Sequence, residues 1–393
     1  MDALSSSQSL PELGGLRRAG LAAAAIGVVL TVIGAFVDPE QFFHSYLVAF
    51  LYWLGIGLGC LGILMVYHLT GGSWGVAVRR LLEAGTSTLP VMAVLFVPLA
   101  FGLHHIYEWT HTETVMADPV LSKKVAYLNV PFFLVRAAIY FAIWNAIAHL
   151  LYWWSGKQDR TGDPALIVRM RKLSGAGLVL FGLAVTFAAF DWVMSLEPHW
   201  LSTIFGLLFL AGHGLSAMAF VIVMAYLLAR RELFGRVLVP TVLNDLGNLL
   251  LAFVMIWAYL SFSQLLIIWS GNLPEEIPWY LHRISGGWRF VAIALAIFHF
   301  AVPFLVLLGR GNKRQLRRLA MLAAAILVMR MVDIFYLVVP EFSNHHLSVH
   351  WLDLAAMAGV GGIWLTAFLW RLPQRPLLAP NDPELEGALA REH

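Results

Sequence analysis

The sequence has little charge. Of 393 residues, 12% are Asp, Glu, Lys or Arg, against roughly a quarter in an ordinary soluble domain. With 60% of the residues hydrophobic, the chain could not cover its own surface in water, which excludes a water-soluble globular protein. A single cysteine, Cys60, lies in an apolar run and excludes both a disulfide framework and a cysteine-ligated cluster within the chain. The formal charge of +3 leaves no electrostatic footprint for nucleic acid. Nucleotide-binding glycine loops, nucleophile elbows and metal-ligand spacings are missing from the sequence as well. No catalytic residue, metal ligand or covalently held cofactor is therefore assigned. Gly71-Gly72 and Gly361-Gly362 are single pairs and read as turn or close-packing positions.

What the sequence does have is long apolar runs. A bilayer core needs about 20 apolar residues per helix, and windows of that size fall at 19–37, 46–69, 84–107, 131–154, 173–195, 200–228, 246–270, 287–309, 317–339 and 350–371. The expected fold is all-α: a polytopic membrane protein of about ten transmembrane helices, with an N-terminal tail at 1–18 and a C-terminal tail at 372–393. The tails are polar and are expected to be docked or mobile, and no soluble catalytic domain is expected. The first run passes into Asp38-Pro39-Glu40 without a small-residue cleavage pattern, so it is read as a helix and not as a cleaved signal. Leu196-Glu197-Pro198-His199 reads as a tight turn between the fifth and sixth helices.

Lysine and arginine set the orientation. With the N-terminus inside, cytoplasmic segments hold Arg17, Arg18, Arg79, Arg80, Lys157, Arg160, Arg169, Arg171, Lys172, Arg230, Arg231, Arg236, Arg310, Lys313, Arg314, Arg317, Arg318, Arg371, Arg375 and Arg391, which is 20 of 26 basic residues. The other side holds Lys123, Lys124, Arg283 and Arg289, while Arg136 and Arg330 fall within helices. This asymmetry predicts a multi-pass protein of the bacterial inner membrane with both termini cytoplasmic. Aromatic residues near helix ends, such as Tyr107 and Trp109 or Trp153 and Trp154, are placed as headgroup anchors.

Ionisable groups inside a bilayer cost several kcal/mol unless paired or wet, so each is a site candidate. Toward the outer side lie His104, His105, Arg136, Asp191, Asp333, His350 and Asp353. Near the middle lie His213, His299 and Arg330; toward the inner side lie His68, Glu83, His149 and Asp245, with Asn248 a turn deeper. Arg330 and Asp333 are three apart and share a helix face, so they read equally as a structural ion pair. Asp191 reads equally as a group reaching headgroup water. Histidines and carboxylates at three depths are also what a proton relay requires. A quinone site needs similar parts: hydrogen-bonding groups for the ring oxygens and an apolar slot for the tail. A bis-histidine haem would need facing histidines, and the spacing of His199 and His213 is not repeated on a second helix.

One stretch carries a recognisable signature: Phe190-Asp191-Trp192-Val193-Met194-Ser195-Leu196-Glu197-Pro198-His199-Trp200, followed by Ser202-Thr203-Ile204-Phe205-Gly206. A second reads Asn244-Asp245-Leu246-Gly247-Asn248, then Trp257-Ala258-Tyr259, Ser261-Phe262-Ser263-Gln264 and Trp269-Ser270-Gly271-Asn272-Leu273-Pro274-Glu275-Glu276. His299 with Pro303-Phe304 fits the next helix. These strings resemble the NrfD-like (polysulfide-reductase-type) membrane subunits of alternative complex III, and the likeness runs from the first helix to the tenth. It is nearest to the shorter of the two such subunits. Asn248 stands where many relatives are expected to carry lysine, which removes that charge from the inner mouth of helix seven.

The resemblance implies a subunit of a quinol:cytochrome c, or quinol:acceptor, oxidoreductase. Its implied partners are a larger NrfD-like subunit, an iron–sulfur/molybdopterin-like subunit, multihaem and monohaem cytochromes c, and membrane lipid. It also implies two parallel four-helix bundles, helices 2–5 at 46–195 and helices 6–9 at 200–339, within one transmembrane domain at 19–371. Redox chemistry of the chain's own is not expected, and quinone is the one candidate ligand. Proton-path candidates are Glu83, His149, Asp191, His213, Asp245, His299, Arg330, Asp333 and Asp353; quinone-contact candidates are His104, His105, Arg136 and Gln264. In the relay hypothesis, which rests on depth, inner groups load protons, middle groups gate them and outer groups release them. Undiminished pumping by Asp191→Asn and Asp333→Asn complexes would remove it. Two other classes stay open at this point: a purely structural scaffold subunit and a secondary transporter.

Overall fold

The computed structural model describes residues 10–343, 346–385 and 387 (of 11, 232 and 233, the backbone only). The outer parts of the two expected tails, with Arg391, lie outside the described residues. Among the described residues, ten helices are long and apolar enough to cross a bilayer: α1 Gly14–Val37, α2 Pro39–Thr70, α3 Ser73–Phe101, α4 Val130–Thr161, α5 Pro164–Leu196, α6 Phe205–Leu228, α7 Pro240–Gly271, α8 Trp288–Leu308, α9 Leu316–Glu341 and α10 Trp351–Gln374. Among the described residues there is no strand. The chain is an all-α multi-pass membrane protein. Below, the near face is the one at which α1 begins and α10 ends, and the far face is the opposite one.

The helix boundaries follow local chemistry. Asp38 accepts from the amide of Gln41 ahead of α2, Asn129 from Phe132 ahead of α4 and Asp163 from Ala165 ahead of α5, each with a proline in the first turn. These side chains satisfy amides that have no partner inside the helix, and proline has no amide to leave open. At the other ends, α4 stops at Gly162 and α7 at Asn272, both left-handed. Gly71 and Gly72, with φ of +67° and +104°, turn the chain from α2 into α3.

α2 and α6 are the most enclosed helices and pack on one another; both are apolar on all sides, as a helix without a lipid face requires. α2, α3, α4 and α5 close one ring of neighbours, and α6, α7, α8 and α9 close another. α1 lies outside both rings, against α10. There the backbones touch: a Cβ on Gly27 would stand 2.2 Å from the amide nitrogen of Gly359. Small residues permit this closeness, and in lipid dispersion at short range is a main force holding helices together.

Three features differ from the sequence expectation. α3 begins at Ser73 and not at 84, so Arg79 and Arg80 are buried helix residues and not loop residues. Their charge reads as loop chemistry in the sequence, but acidic partners within the fold satisfy it. The far end of α3 breaks into short pieces, where Pro90 and Pro98 remove amides and Thr86, Ser87 and Thr88 hydroxyls bond back to the carbonyls of Glu83 and Gly85. The α5–α6 connection is longer than a tight turn, because α6 starts at Phe205. Trp200 stacks on Trp279 at 4.5 Å and Ser202 bonds Gln264 at 3.0 Å, which holds the segment extended.

The C-terminal segment after α10 is docked on the near face. Asp382 accepts from the Tyr67 hydroxyl and from Arg79 Nη1, both at 2.7 Å, and the carbonyl of Asn381 accepts from Gln158 at 2.9 Å.

Candidate functional site

Most of the buried ionisable groups are tied to partners. On the near face, Glu83 lies between Arg79 Nε at 3.0 Å and Arg80 Nη1 at 2.5 Å, with Ser155 donating to it at 2.6 Å. Arg80 also meets Asp159 at 2.6 Å, and Arg375 approaches Glu83 at 3.5 Å. Glu83 is thus the centre of a closed ionic cluster spanning α3, α4 and the C-terminal segment. Toward the far face, Arg136 of α4 and Asp191 of α5, by sequence a candidate quinone contact and a candidate proton carrier, form a forked pair. In the second ring, Arg330 pairs with Asp333, and Asp333 also accepts from Trp257 Nε1 at 3.0 Å.

The histidines divide by placement. His213 is buried where α6 crosses α2, in room left by glycine: a Cβ on Gly59 would stand 1.9 Å from the His213 carbonyl oxygen. His299 is fully buried, edge-on to Trp257 at 4.4 Å, and neither ring nitrogen has a hydrogen-bond partner among the described residues. It sits in a π-helical turn, Leu295–Ala301, just ahead of Pro303, which has no amide to close an α-helical bond back to residue 299. Such wide turns recur at functional sites. By contrast His149 is exposed on α4 and Asp245 is half-buried, and neither joins the near-face cluster around Glu83. His104 and His105 are exposed on the far face, where His105 stacks on Phe43 at 5.2 Å. Asp353 caps α10 and accepts from Ser45 at 2.5 Å. His199 is also exposed, 2.5 Å from Asp118, and does not face His213.

At the near-face end of α7, Lys313 Nζ donates to Asn248 Oδ1 at 2.6 Å. The cation beside Asn248 thus comes from the α8–α9 connection. Burial, and then Arg310, push the Lys313 ammonium below its ordinary pKa.

A void that bears on function lies in the far half of the second ring. A cavity of about 530 Å³ opens between α7, α8, α9 and a short helix at Ile277–Ile284. Its walls are apolar, with Leu208, Phe262, Leu295 and Phe300 among them, and polar atoms come from Gln264, Ser261, Tyr280 and the Trp257–Asp333 pair. Gln264 is buried and lies 3.4 Å from the Tyr280 hydroxyl. Tyr259 and Phe262 at the rim stand on the exposed apolar surface, which in a membrane faces lipid. Of the four quinone-contact candidates only Gln264 lines this cavity. Trp279, Tyr280 and Tyr336 were missed; the one signal was the Pro-Trp-Tyr string at 278–280, which reads as loop in a hydropathy window.

A further cluster has no sequence signature at all. Glu197, His282 and Glu341 converge on the far face, beside Arg283. Burial raises Glu197, and the neighbouring Glu341 raises it further, to about 8; Arg283 opposes the shift.

The chain matches no protein-family model, and a search of curated proteins finds no match to it.

Proposed function

We propose that this chain is an integral membrane subunit of a quinol-oxidising electron-transport assembly of the NrfD-like kind. In this reading it offers the cavity between α7, α8 and α9 to a quinone-class headgroup. The cavity is the observation that carries the reading. Its volume falls within the range of ligand pockets, and it combines apolar walls with a few convergent polar groups, as small-molecule sites do. Gln264 Nε2 and the Tyr280 hydroxyl are donors for a ring oxygen, and the lipid-facing rim admits an isoprenoid tail. Two of the strings that carry the resemblance, Trp257-Ala258-Tyr259 and Ser261-Phe262-Ser263-Gln264, line it.

The test is purification of the tagged chain in gentle detergent, followed by mass spectrometry of partners and photolabelling with an azidoquinone. Co-purification with a multihaem cytochrome, an iron–sulfur protein and a larger NrfD-like subunit, with label on α7 or residues 277–284, is the expected outcome. Recovery as a lone protein without label would sink the reading and favour a transporter.

A second reading has its own support. Glu83, Asp191 and Asp333 each face an arginine at ion-pair distance. Charges satisfied in this way tie helices together, as a scaffold subunit needs. They are poorer parts for a relay, because each carboxylate is fixed by bonds to its own arginine and not to a neighbouring carrier. Both readings place the chain in the bacterial inner membrane with the near face cytoplasmic.

A further inference from the structure

Three segments distant in sequence meet over the far end of the cavity. They are the α5–α6 connection with Glu197, the helix Ile277–Ile284 with His282, and the last turn of α9 with Glu341. One ligand atom from each of these side chains lies within 4.8 Å of the other two, and all three residues are half-buried. Glu197 Oε2 is sealed from solvent with no hydrogen-bond partner among the described residues.

Arg283 is the cation at hand, but it is committed elsewhere. Its Nη1 donates to the Trp279 carbonyl at 3.0 Å, its Nη2 donates to the Leu337 carbonyl at 2.8 Å, and its guanidinium lies 3.7 Å over the Trp279 ring. Nη2 also stands 2.7 Å from Glu341 Oε1, as a charge contact and not an aligned hydrogen bond. One arginine balances one carboxylate, and Glu108 adds a further negative charge near Glu197. The two carboxyls can ionise together only if a further cation joins them.

We propose that Glu197, His282 and Glu341 form a binding site for a divalent transition-metal cation of the zinc class. One imidazole with two carboxylates suits such an ion, and three protein ligands leave a fourth position for water. Tetrahedral bonds of about 2.0–2.2 Å hold donor atoms about 3.4 Å apart, so closure from a limit of 4.8 Å asks for a contraction of up to about 1.4 Å, which glutamate side-chain rotation supplies. Trp279 and Tyr280, on the same short helix as His282, line the cavity. A bound ion would fasten that helix to the α5–α6 connection and to the end of α9, and so hold the roof of the cavity in place.

The test uses the full chain without a polyhistidine tag, in detergent, stripped with chelator and titrated with ZnCl₂. Calorimetry and metal content after dialysis are expected to give one Zn²⁺ retained per chain. His282→Ala, Glu197→Gln and Glu341→Gln are each expected to weaken retention at least tenfold, whereas His111→Ala, on the exposed far-face loop, leaves it unchanged. X-ray absorption at the zinc edge on the wild-type chain is expected to show only nitrogen and oxygen ligands with imidazole scattering, which needs no variant to fold. A wild-type chain that retains no zinc overturns the site. So does a His282→Ala chain that retains as much as wild type, or a zinc spectrum without imidazole.

Discussion

Arg136 grips Asp191 with two parallel donors, Nε to Oδ2 at 2.8 Å and Nη2 to Oδ1 at 2.9 Å. Tyr140 adds a third bond to the same carboxylate at 2.7 Å, while Arg136 Nη1 donates to the Tyr127 carbonyl at 2.9 Å and the guanidinium lies over the Tyr127 and Phe132 rings. Asp191 has no exposed surface. Such a pair repays its desolvation only when geometry and hydrogen bonds are this complete, and removing one partner strands a buried charge. Asp191→Ala is therefore expected to cost about 3–5 kcal/mol in denaturant unfolding of the detergent-solubilised chain. The double change Arg136→Met with Asp191→Leu is expected to lose less than Asp191→Ala alone. A single variant as stable as wild type would mean that the pair does not join α4 to α5.

How much of this was legible in the sequence depends on the range of the interaction. Hydrophobic run length is local and needs no partner, so the ten spans can be read from composition, and proline and Asx caps place several of their starts. Arg79 and Arg80 mislead because their charge looks like loop chemistry until Glu83, Asp159 and Asp382 are brought to them, and two of those three lie far away in the chain. The position of each ionisable residue along its helix is readable in the sequence, but its azimuth is not. His149 faces outward and His299 inward, and no helical period in so apolar a sequence separates the two. The cavity and the Glu197–His282–Glu341 cluster exist only because the helix at 277–284 folds back under the α5–α6 connection, a long-range event with no spacing rule behind it.

The docked C-terminal segment makes a local prediction. Asp382 holds it through Tyr67 and Arg79, and a charge-assisted hydrogen bond contributes about 1.5–3 kcal/mol. Asp382→Asn should therefore raise the opening of the segment by about ten- to a hundredfold. Hydrogen exchange is expected to speed up at amides after Arg375 and to stay unchanged in the core of α2. Equal acceleration in α2 would show instead that the segment is an integral part of the first ring.

The contact between α1 and α10 predicts a position-specific steric effect. Gly27 has no room for a Cβ against the Gly359 backbone, whereas a Cβ on Gly14 would meet nothing within 4 Å. Gly27→Val is expected to separate the helices and cost about 1–3 kcal/mol through overpacking, while Gly14→Val has no steric cost. Thermal unfolding in detergent distinguishes the two, and equal melting temperatures would mean that α1 does not depend on α10.

The cavity yields the prediction on which the proposed function turns. A quinone ring offers carbonyl oxygens and needs donors; Gln264 Nε2 and the Tyr280 hydroxyl, 3.4 Å apart, are donors in the wall. Removing one donor from a neutral acceptor forfeits about 0.5–1.5 kcal/mol. Gln264→Leu and Tyr280→Phe should each weaken binding of a short-tailed quinone analogue about two- to tenfold. Gln264→Leu also strands the Ser202 hydroxyl, which bonds it at 3.0 Å, so part of its effect would appear as lower stability; Tyr280→Phe is the cleaner probe. Occupancy and polarity are separated by Ala258→Trp, which fills the void from the α7 wall without touching either donor. That variant is expected to abolish analogue binding while partner subunits still co-purify. Binding that survives Ala258→Trp would place the quinone elsewhere in the assembly and leave this chain the scaffold role that its paired charges already support.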